Sequence, residues 1–193
     1  ALYLAAAALY LAVASLPNGA RSTGERDASL LSCWHAHATM LYTVPVIQST
    51  GHYLENFLDL QPQLRKTIHG LSHPPGASLS MYYIGCAAGV RGEDIRLDST
   101  RLRYALGLTL FGALNVLVVF ALGRNLFDDD RIAFLTALLW LAAPSVTSYG
   151  TFAQDTLYAV FFNLSLLLTY RVAIRDRMPG PEMIALGFVL FCV

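Results

Sequence analysis

Length, composition and charge restrict the class of protein. The chain has 193 residues, of which 55% are hydrophobic and 13% are charged. An average soluble domain carries about 25% charged residues, so the composition excludes an ordinary cytosolic globule and favours a membrane protein. Basic and acidic residues number 13 each, and this zero net charge excludes the basic footprint of a nucleic-acid-binding domain.

The chain opens on an apolar run that predicts a membrane span over about residues 1–16. The run is short beside the roughly 20 residues of a typical span. The h-region of a secretory signal peptide is the alternative, although no positively charged segment precedes it. Because the chain begins without a methionine and also ends inside an apolar run, we expect an N-terminal membrane fragment.

The clearest predicted span covers residues 104–123, an uncharged run with Asn115 near its middle and an arginine at each end. Between Arg131 and Arg171 the only charged residue is Asp155. A single helix of that length would be close to 60 Å long, at about 1.5 Å per residue, whereas the hydrocarbon core of a bilayer is about 30 Å thick. The stretch must therefore hold two spans.

We place these two spans at about 132–149 and 155–171, with the turn near Pro144–Gly150, where proline and glycine interrupt the apolar pattern. Asp155 then begins the second of them. A further span begins at about 182–193.

Two segments precede the span at 104–123. Residues 17–71 are predicted to form an outer loop, in which Gly51–Leu60 is a short amphipathic helix with Leu54, Phe57 and Leu58 on one face. Pro62 is expected to start a second short helix that runs through His69. Residues 72–90 are uncharged and rich in small residues, which predicts either a re-entrant or a spanning helix.

The predicted fold is therefore all-α: one polytopic transmembrane helical bundle, with an outer loop of short interfacial helices. The loops 124–131 and 171–177 hold five arginines, and the turn 144–153 between them holds none. The positive-inside rule then places the two arginine loops in the cytoplasm and Asp155 near the outer surface.

The most distinctive string is Leu71–Ser78, Leu-Ser-His-Pro-Pro-Gly-Ala-Ser. A proline is favourable at the first position of a helix, so the string predicts a fixed bend followed by a helix that starts at Pro74 or Pro75. The first N–H groups of that helix, at Gly76, Ala77 and Ser78, would then face outward and suit a phosphate. A rigid bend with a surface histidine is the structural alternative.

Three further features accompany this string. Thr100–Arg103 opens the next span with arginines, and Leu122–Phe127 closes it with Leu-Gly-Arg-Asn-Leu-Phe. A proline and a small polar turn then lead into Asp155. In order and spacing over residues 40–178, the series resembles the lipid-carrier-dependent glycosyltransferases of the GT-C superfamily, such as the protein O-mannosyltransferases and aminoarabinose transferases.

The resemblance implies a membrane glycosyltransferase that transfers a sugar from a polyprenyl-phosphate donor to an acceptor on the outer or luminal face. It would work among membrane lipids, in a bacterial inner or plasma membrane. It also implies a carboxylate in the first outer loop as the base that deprotonates the acceptor hydroxyl. The corresponding place here, Leu41–Pro45, holds no acid. Among the remaining loop acids we select Glu55 and Asp59, which lie four residues apart and would share a helix face; a solvated polar face is the alternative.

The donor phosphate would be held by His73, Gly76 and Ser78 together with Arg101 and Arg103, which head the next span. The two arginines could instead be interfacial anchors.

Asp155 is either a functional membrane acid paired with Arg101 or Arg103, or the N-cap of the helix that follows.

Metal binding receives little support from the sequence. His69 and His73 are four residues apart, but the prolines that follow make one continuous helix through both unexpected. Asp128–Asp130 is interpreted as a solvated helix cap. The sequence thus indicates no definite cofactor, leaves a divalent metal open, and leaves a non-catalytic scaffold or transporter subunit as the alternative function.

Overall fold

The computed structural model describes residues 2–15, 46–64, 75–90, 98–143, 155–174 and 180–192. Every regular element within these ranges is an α-helix, which confirms the all-α prediction. The helices are α1 (Leu2–Ser15), α2 (Thr50–Glu55), α3 (Phe57–Leu64), α4 (Pro75–Ala87), α5 (Asp98–Ala113), α6 (Asn115–Phe127), α7 (Asp130–Ala142), α8 (Asp155–Ile174) and α9 (Gly180–Cys192).

Two helical stretches in these ranges are long and apolar enough to cross a membrane. They are Arg103–Phe127, which joins α5 to α6, and Leu157–Ile174 within α8. A shorter apolar helix covers Leu2–Ala12.

The helices α5 and α6 form one stretch with a tightened turn at Leu114. The N–H of Leu114 donates to the carbonyl of Phe111 at 3.0 Å, and the N–H of Leu117 donates to the carbonyl of Leu114 at 2.9 Å. These bonds span three residues, as in a 3₁₀ turn, rather than the four of an α-helix. Asn115 follows this turn and is buried.

The helices α6 and α7 form a tight hairpin. Asp128 ends α6 in the left-handed conformation (φ 51°), and the Oδ1 of Asp129 caps α7 by accepting from the backbone N–H of Arg131 at 2.7 Å. This confirms the cap interpretation. The two helices come close at Gly123, where an added Cβ would lie 3.1 Å from the Cα of Ala133.

The helix α8 runs parallel to α5 and α6. The ring centroids of Phe111 and Phe161 are 5.9 Å apart, and Asn163 Nδ2 donates to Asn115 Oδ1 at 3.1 Å. A longer bond of 3.4 Å joins Arg171 Nε to Asn125 Oδ1. Because the residue numbers rise together on both sides, the start of α8 lies level with the start of the Arg103–Phe127 stretch.

The predicted pair of spans between residues 132 and 171 corresponds to two helices, α7 and α8. Ala143 is extended (ψ 123°), the backbone preferred by a residue that precedes a proline, and it therefore ends α7. The predicted turn at 144–150 lies outside the described residues.

Two apolar clusters hold the spanning helices together. In one, α1 contributes Ala6, Ala7 and Tyr10 to a core shared with α5, α6 and α7, and Tyr3 donates to the carbonyl of Leu110 at 3.1 Å. The other joins α4, α5, α8 and α9. The helix α1 thus packs against α5, α6 and α7, and its assignment as a membrane span stays a prediction.

The single helix expected over Gly51–Leu60 is interrupted. Asn56 has non-helical angles (φ −112°, ψ 19°), and its side-chain Nδ2 donates to the carbonyl of His52 at 2.9 Å. The second helix starts at Phe57 and includes Pro62, so the expected start at Pro62 is wrong. Asparagine favours such breaks because its amide bonds to nearby backbone groups.

The buried face of these helices also differs from the prediction. Leu54 and Leu58 are 44% and 77% exposed, whereas Tyr53 and Leu60 are buried. Phe57 is partly buried, as expected. Tyr53 and Leu60 face inward because they form an apolar cluster with Leu79 of α4.

The helix α4 begins at Pro75, one of the two starts predicted. It ends in a Schellman motif, in which the N–H of Val90 donates to the carbonyl of Gly85 at 2.9 Å and Gly89 adopts φ 71°. Gly89 therefore ends the helix. His69 and His73, and the outer loop before residue 46, lie outside the described residues.

Candidate functional site

The loop helix α2 lies antiparallel along α4. The hydroxyls of Thr50 and Tyr83 share a hydrogen bond of 2.5 Å. Tyr53, three residues after Thr50, adjoins Ser78, which lies five residues before Tyr83 in α4. Continuing this register places Glu55, the last residue of α2, level with the first turn of α4.

An apolar seam fixes this arrangement. Ile47, Tyr53 and Leu60 are buried against Leu79 of α4. Tyr53 also stacks edge-on against Phe57, with ring centroids 5.5 Å apart, so the same aromatic ring packs against α3 and α4. The loop that carries the candidate acids is thereby held at the start of α4.

Glu55 and Asp59 are both exposed. They do not share a continuous helix face, because the break at Asn56 separates α2 from α3. Asp59 lies in the first turn of α3, where a negative charge is favourable beside the helix dipole. Of the two acids, Glu55 lies level with the first turn of α4 along the axis of α2, but its exposed side chain is two residues beyond the buried Tyr53, about 200° around the helix.

The first turn of α4 is buried rather than outward-facing. Gly76, Ala77 and Ser78 are all buried, and Ser78 has no exposed surface. The expectation that their N–H groups face outward is therefore wrong, because α2 and α3 pack against this end of the helix. Any anion bound there would be shielded from bulk water, and electrostatic interactions are stronger in such a low-dielectric environment than in water.

Two hydroxyls in the seam lack hydrogen-bond partners. Both the Tyr53 hydroxyl and the Ser78 Oγ are buried, and the two adjoin each other without forming a hydrogen bond of good geometry. Burial raises the pKa of Tyr53, and the neighbouring Ser78 hydroxyl opposes that shift. The Tyr53 hydroxyl therefore stays protonated and can donate a hydrogen bond.

Arg103 lies at the other end of α4. An added Cβ at Gly89 would lie 3.4 Å from the Nη1 of Arg103. Gly89 is twelve residues beyond Ala77, a distance of roughly 18 Å at about 1.5 Å per residue. The structure thus does not bring Arg103 to the first turn of α4.

The remaining predicted site residues are placed only in part. Arg101 belongs to the start of α5 and Asp155 begins α8, but their side chains lie outside the described part of the chain, as does the whole of His73. The parallel register of α5 and α8 puts the backbones of Arg101 and Asp155 at the same end of the bundle. Arg124, Arg131 and Arg171 lie at the opposite end.

The described ranges contain no group of three histidine, cysteine or acidic side chains that could hold a metal ion. The acidic run after α6 serves the hairpin instead: Asp129 caps α7, and Asp130 Oδ1 lies 2.8 Å from the Nε of Arg124.

Tyr53 is the site residue that sequence reasoning missed. The break at Asn56 interrupts the helical period between Tyr53 and Leu60, so their seven-residue spacing gave no reliable signal. The neighbouring leucines offered a competing face, and only the position of α4 decided between the two.

Comparison with known families gives one match. Residues 94–190 match the family described as dolichyl-phosphate-mannose-protein mannosyltransferase. The matched segment is just over half of the chain and extends from before α5 into α9. No curated protein and no solved structure matches the chain.

Proposed function

Because the chain belongs to the dolichyl-phosphate-mannose-protein mannosyltransferase family, whose members are integral membrane glycosyltransferases, we propose that it transfers a sugar from a polyprenyl-phosphate donor to an acceptor on the outer face of a bacterial inner or plasma membrane. The architecture proposed for it is a polytopic bundle. The two spanning stretches and the packing of α1 against them support this architecture.

The register of α2 against α4 carries the assignment of the site. It supports the proposal because Glu55 comes level with the first turn of α4 along the axis of α2, and unpaired N–H groups and the positive end of the helix dipole at that turn favour an anion. The donor phosphate would bind at this turn, near Gly76 and Ser78, with His73 just before it in sequence. An acidic side chain next to a phosphate site is the arrangement that glycosyl transfer to an alcohol requires.

The proposed reaction breaks the bond between the anomeric carbon of the sugar and the phosphate oxygen. The acceptor oxygen forms the new bond to that carbon, and its proton passes to the Glu55 carboxylate, with Asp59 as the second candidate. The base is needed because an alcohol is a weak nucleophile until its proton is removed. The bonding electrons of the broken bond remain on the departing lipid phosphate, whose charge the N–H groups of α4 stabilise.

Arg101, Arg103 and Asp155 receive a different role in this proposal. All three residues lie at the same end of the bundle, where α5 and α8 begin. Arg103, however, is far from the first turn of α4. We propose that Arg101 or Arg103 is the charge partner of Asp155, since all three belong to the same end of the bundle. In the low dielectric near a membrane, an acid such as Asp155 is stabilised by a paired cation.

The chemistry is tested with the full-length protein in membrane vesicles, by transfer of radiolabelled sugar from a polyprenyl-phosphate donor. Glu55→Gln is expected to lower kcat by about 100-fold or more, the usual contribution of a general base, with the KM for the donor unchanged. Asp59→Asn tests the second candidate, and Asp128→Asn, at the opposite end of the bundle, is the matched control. Wild-type rates in both loop variants would favour the scaffold or transporter alternative.

The side of the membrane is tested by cysteine labelling in a variant whose three native cysteines are serines. Gly51 is exposed, with open space around it, and Asp128 is exposed in the α6–α7 hairpin. A cysteine at position 51 should react with an impermeant reagent from outside, whereas one at position 128 should react only after permeabilisation. Labelling of both positions from the same side would contradict the proposed topology.

A further inference from the structure

The seam between α2 and α4 contains two polar atoms that its packing does not explain. Tyr53 and Ser78 adjoin each other across the seam, neither residue has exposed surface, and neither hydroxyl makes a hydrogen bond of good geometry. Nearly all buried polar groups in proteins are paired, so an unpaired one requires an explanation such as a bound ligand atom. Two unpaired hydroxyls facing each other point to one missing group between them.

The surroundings indicate the chemistry of that group. Ser78 lies in the first turn of α4, where the backbone N–H groups lack partners within the helix. The nearby side chains are apolar: Ile47, Leu60 and Leu79. Among the described residues, the polar groups at this place are hydroxyls and backbone N–H groups, which can donate hydrogen bonds to an oxygen atom of an anion.

We propose that Tyr53 and Ser78 together donate hydrogen bonds to one oxygen of the lipid-linked phosphate at the first turn of α4. This inference rests on the proposed function, because it takes the donor phosphate to bind at that turn. The contacts that join α2 to α4 are made by side chains, through the apolar cluster and the Thr50–Tyr83 hydroxyl pair. The raised pKa of Tyr53 keeps its hydroxyl protonated and able to donate.

The test measures binding of polyprenyl phosphate to the purified full-length protein in lipid nanodiscs, with phosphate-free polyprenol as the second ligand. Tyr53→Phe and Ser78→Ala each remove one hydroxyl and keep the packing. Each is expected to weaken polyprenyl phosphate binding by about 10-fold or more, as for a hydrogen bond to a charged group. Binding of polyprenol should stay unchanged in both variants.

Tyr83→Phe is the matched control. Tyr83 also joins α4 to α2, through Thr50, but it is 54% exposed and its hydroxyl is paired. Its loss should leave polyprenyl phosphate binding within about 2-fold of wild type. The thermal stability of the ligand-free protein supplies a second readout: removing an unpaired buried hydroxyl should not lower Tm.

The outcomes separate the two proposals. Wild-type protein that does not distinguish polyprenyl phosphate from polyprenol would overturn both the phosphate site and this inference. Wild-type protein that prefers the phosphate, with equal affinity in Tyr53→Phe and Ser78→Ala, would overturn the inference alone. An equal loss for both ligands in Tyr53→Phe would show a structural role and would likewise refute it.

Discussion

Two regions of the molecule bury polar side chains in opposite ways. Between α6 and α8, Asn115 and Asn163 are 2% and 6% exposed and bond to each other. Between α2 and α4, Tyr53 and Ser78 are just as buried, yet their hydroxyls remain unpaired. The paired amides fix one helix against another, whereas the unpaired hydroxyls stabilise nothing in the ligand-free protein.

The two regions differ in how a buried polar group is satisfied. In a bilayer no water reaches a lone amide, so a polar group inside a span gains from a partner in the protein, as Asn115 gains from Asn163. At the loop end of α4, and at Trp140 Nε1 in α7, buried polar atoms lack such a partner. Buried groups left unpaired lower stability and persist at places that serve binding.

The largest expected effect breaks the scaffold itself. Gly123→Leu should lower the free energy of unfolding by about 3 kcal/mol, because the added side chain would push α6 away from the backbone of α7 at Ala133. Thermal unfolding in detergent measures the loss. Gly187→Leu in α9 is the control, since nothing lies within 4 Å of an added Cβ there; an equal loss in both variants would contradict close packing at Gly123.

The next prediction compares the two regions directly. Asn163→Leu should destabilise the protein by about 1 kcal/mol, since it leaves Asn115 buried without its partner. Ser78→Ala should leave the stability of the ligand-free protein unchanged or raise it. The double variant Asn115→Leu with Asn163→Leu should recover part of the loss. Equal destabilisation by Asn163→Leu and Ser78→Ala, in the same unfolding assay, would remove the distinction between the regions.

A smaller effect of opposite sign is expected at the α6–α7 hairpin. Asp128 adopts φ 51°, a conformation that glycine reaches more easily than other residues. Asp128→Gly should therefore raise stability by about 0.5 kcal/mol, which would appear as a higher Tm. A lower Tm would mean that the Asp128 side chain stabilises the hairpin in another way.

The smallest effect concerns the exposed ion pair at the same hairpin. Arg124 and Asp130 lie 2.8 Å apart, but their side chains are 62% and 68% exposed. Arg124→Ala should change stability by less than about 0.5 kcal/mol, and added salt should reduce the difference from wild type. A larger, salt-independent loss would show that surface charge contributes as much to the scaffold as the buried amide pair.

Several helices and helix ends followed from local sequence alone. Uncharged apolar runs predicted helical stretches at 104–123 and 155–171, where the structure has Arg103–Phe127 and Leu157–Ile174, because apolar length is a local property of the chain. Asp129 as a cap and Pro75 as a helix start were also predictable, since each acts within one turn of its own helix. The family followed from the order of motifs along the chain.

Only the tertiary structure decided which side chains meet. Tyr53 rather than Leu54 faces inward because α4 packs there, and Arg103 lies by Gly89 because α4 ends and turns back at that glycine. The register of α6 against α8 depends on an amide pair 48 residues apart. The sequence pattern of one helix records its own period but not the position of its neighbour, so contacts between distant segments appear only when the chain is folded.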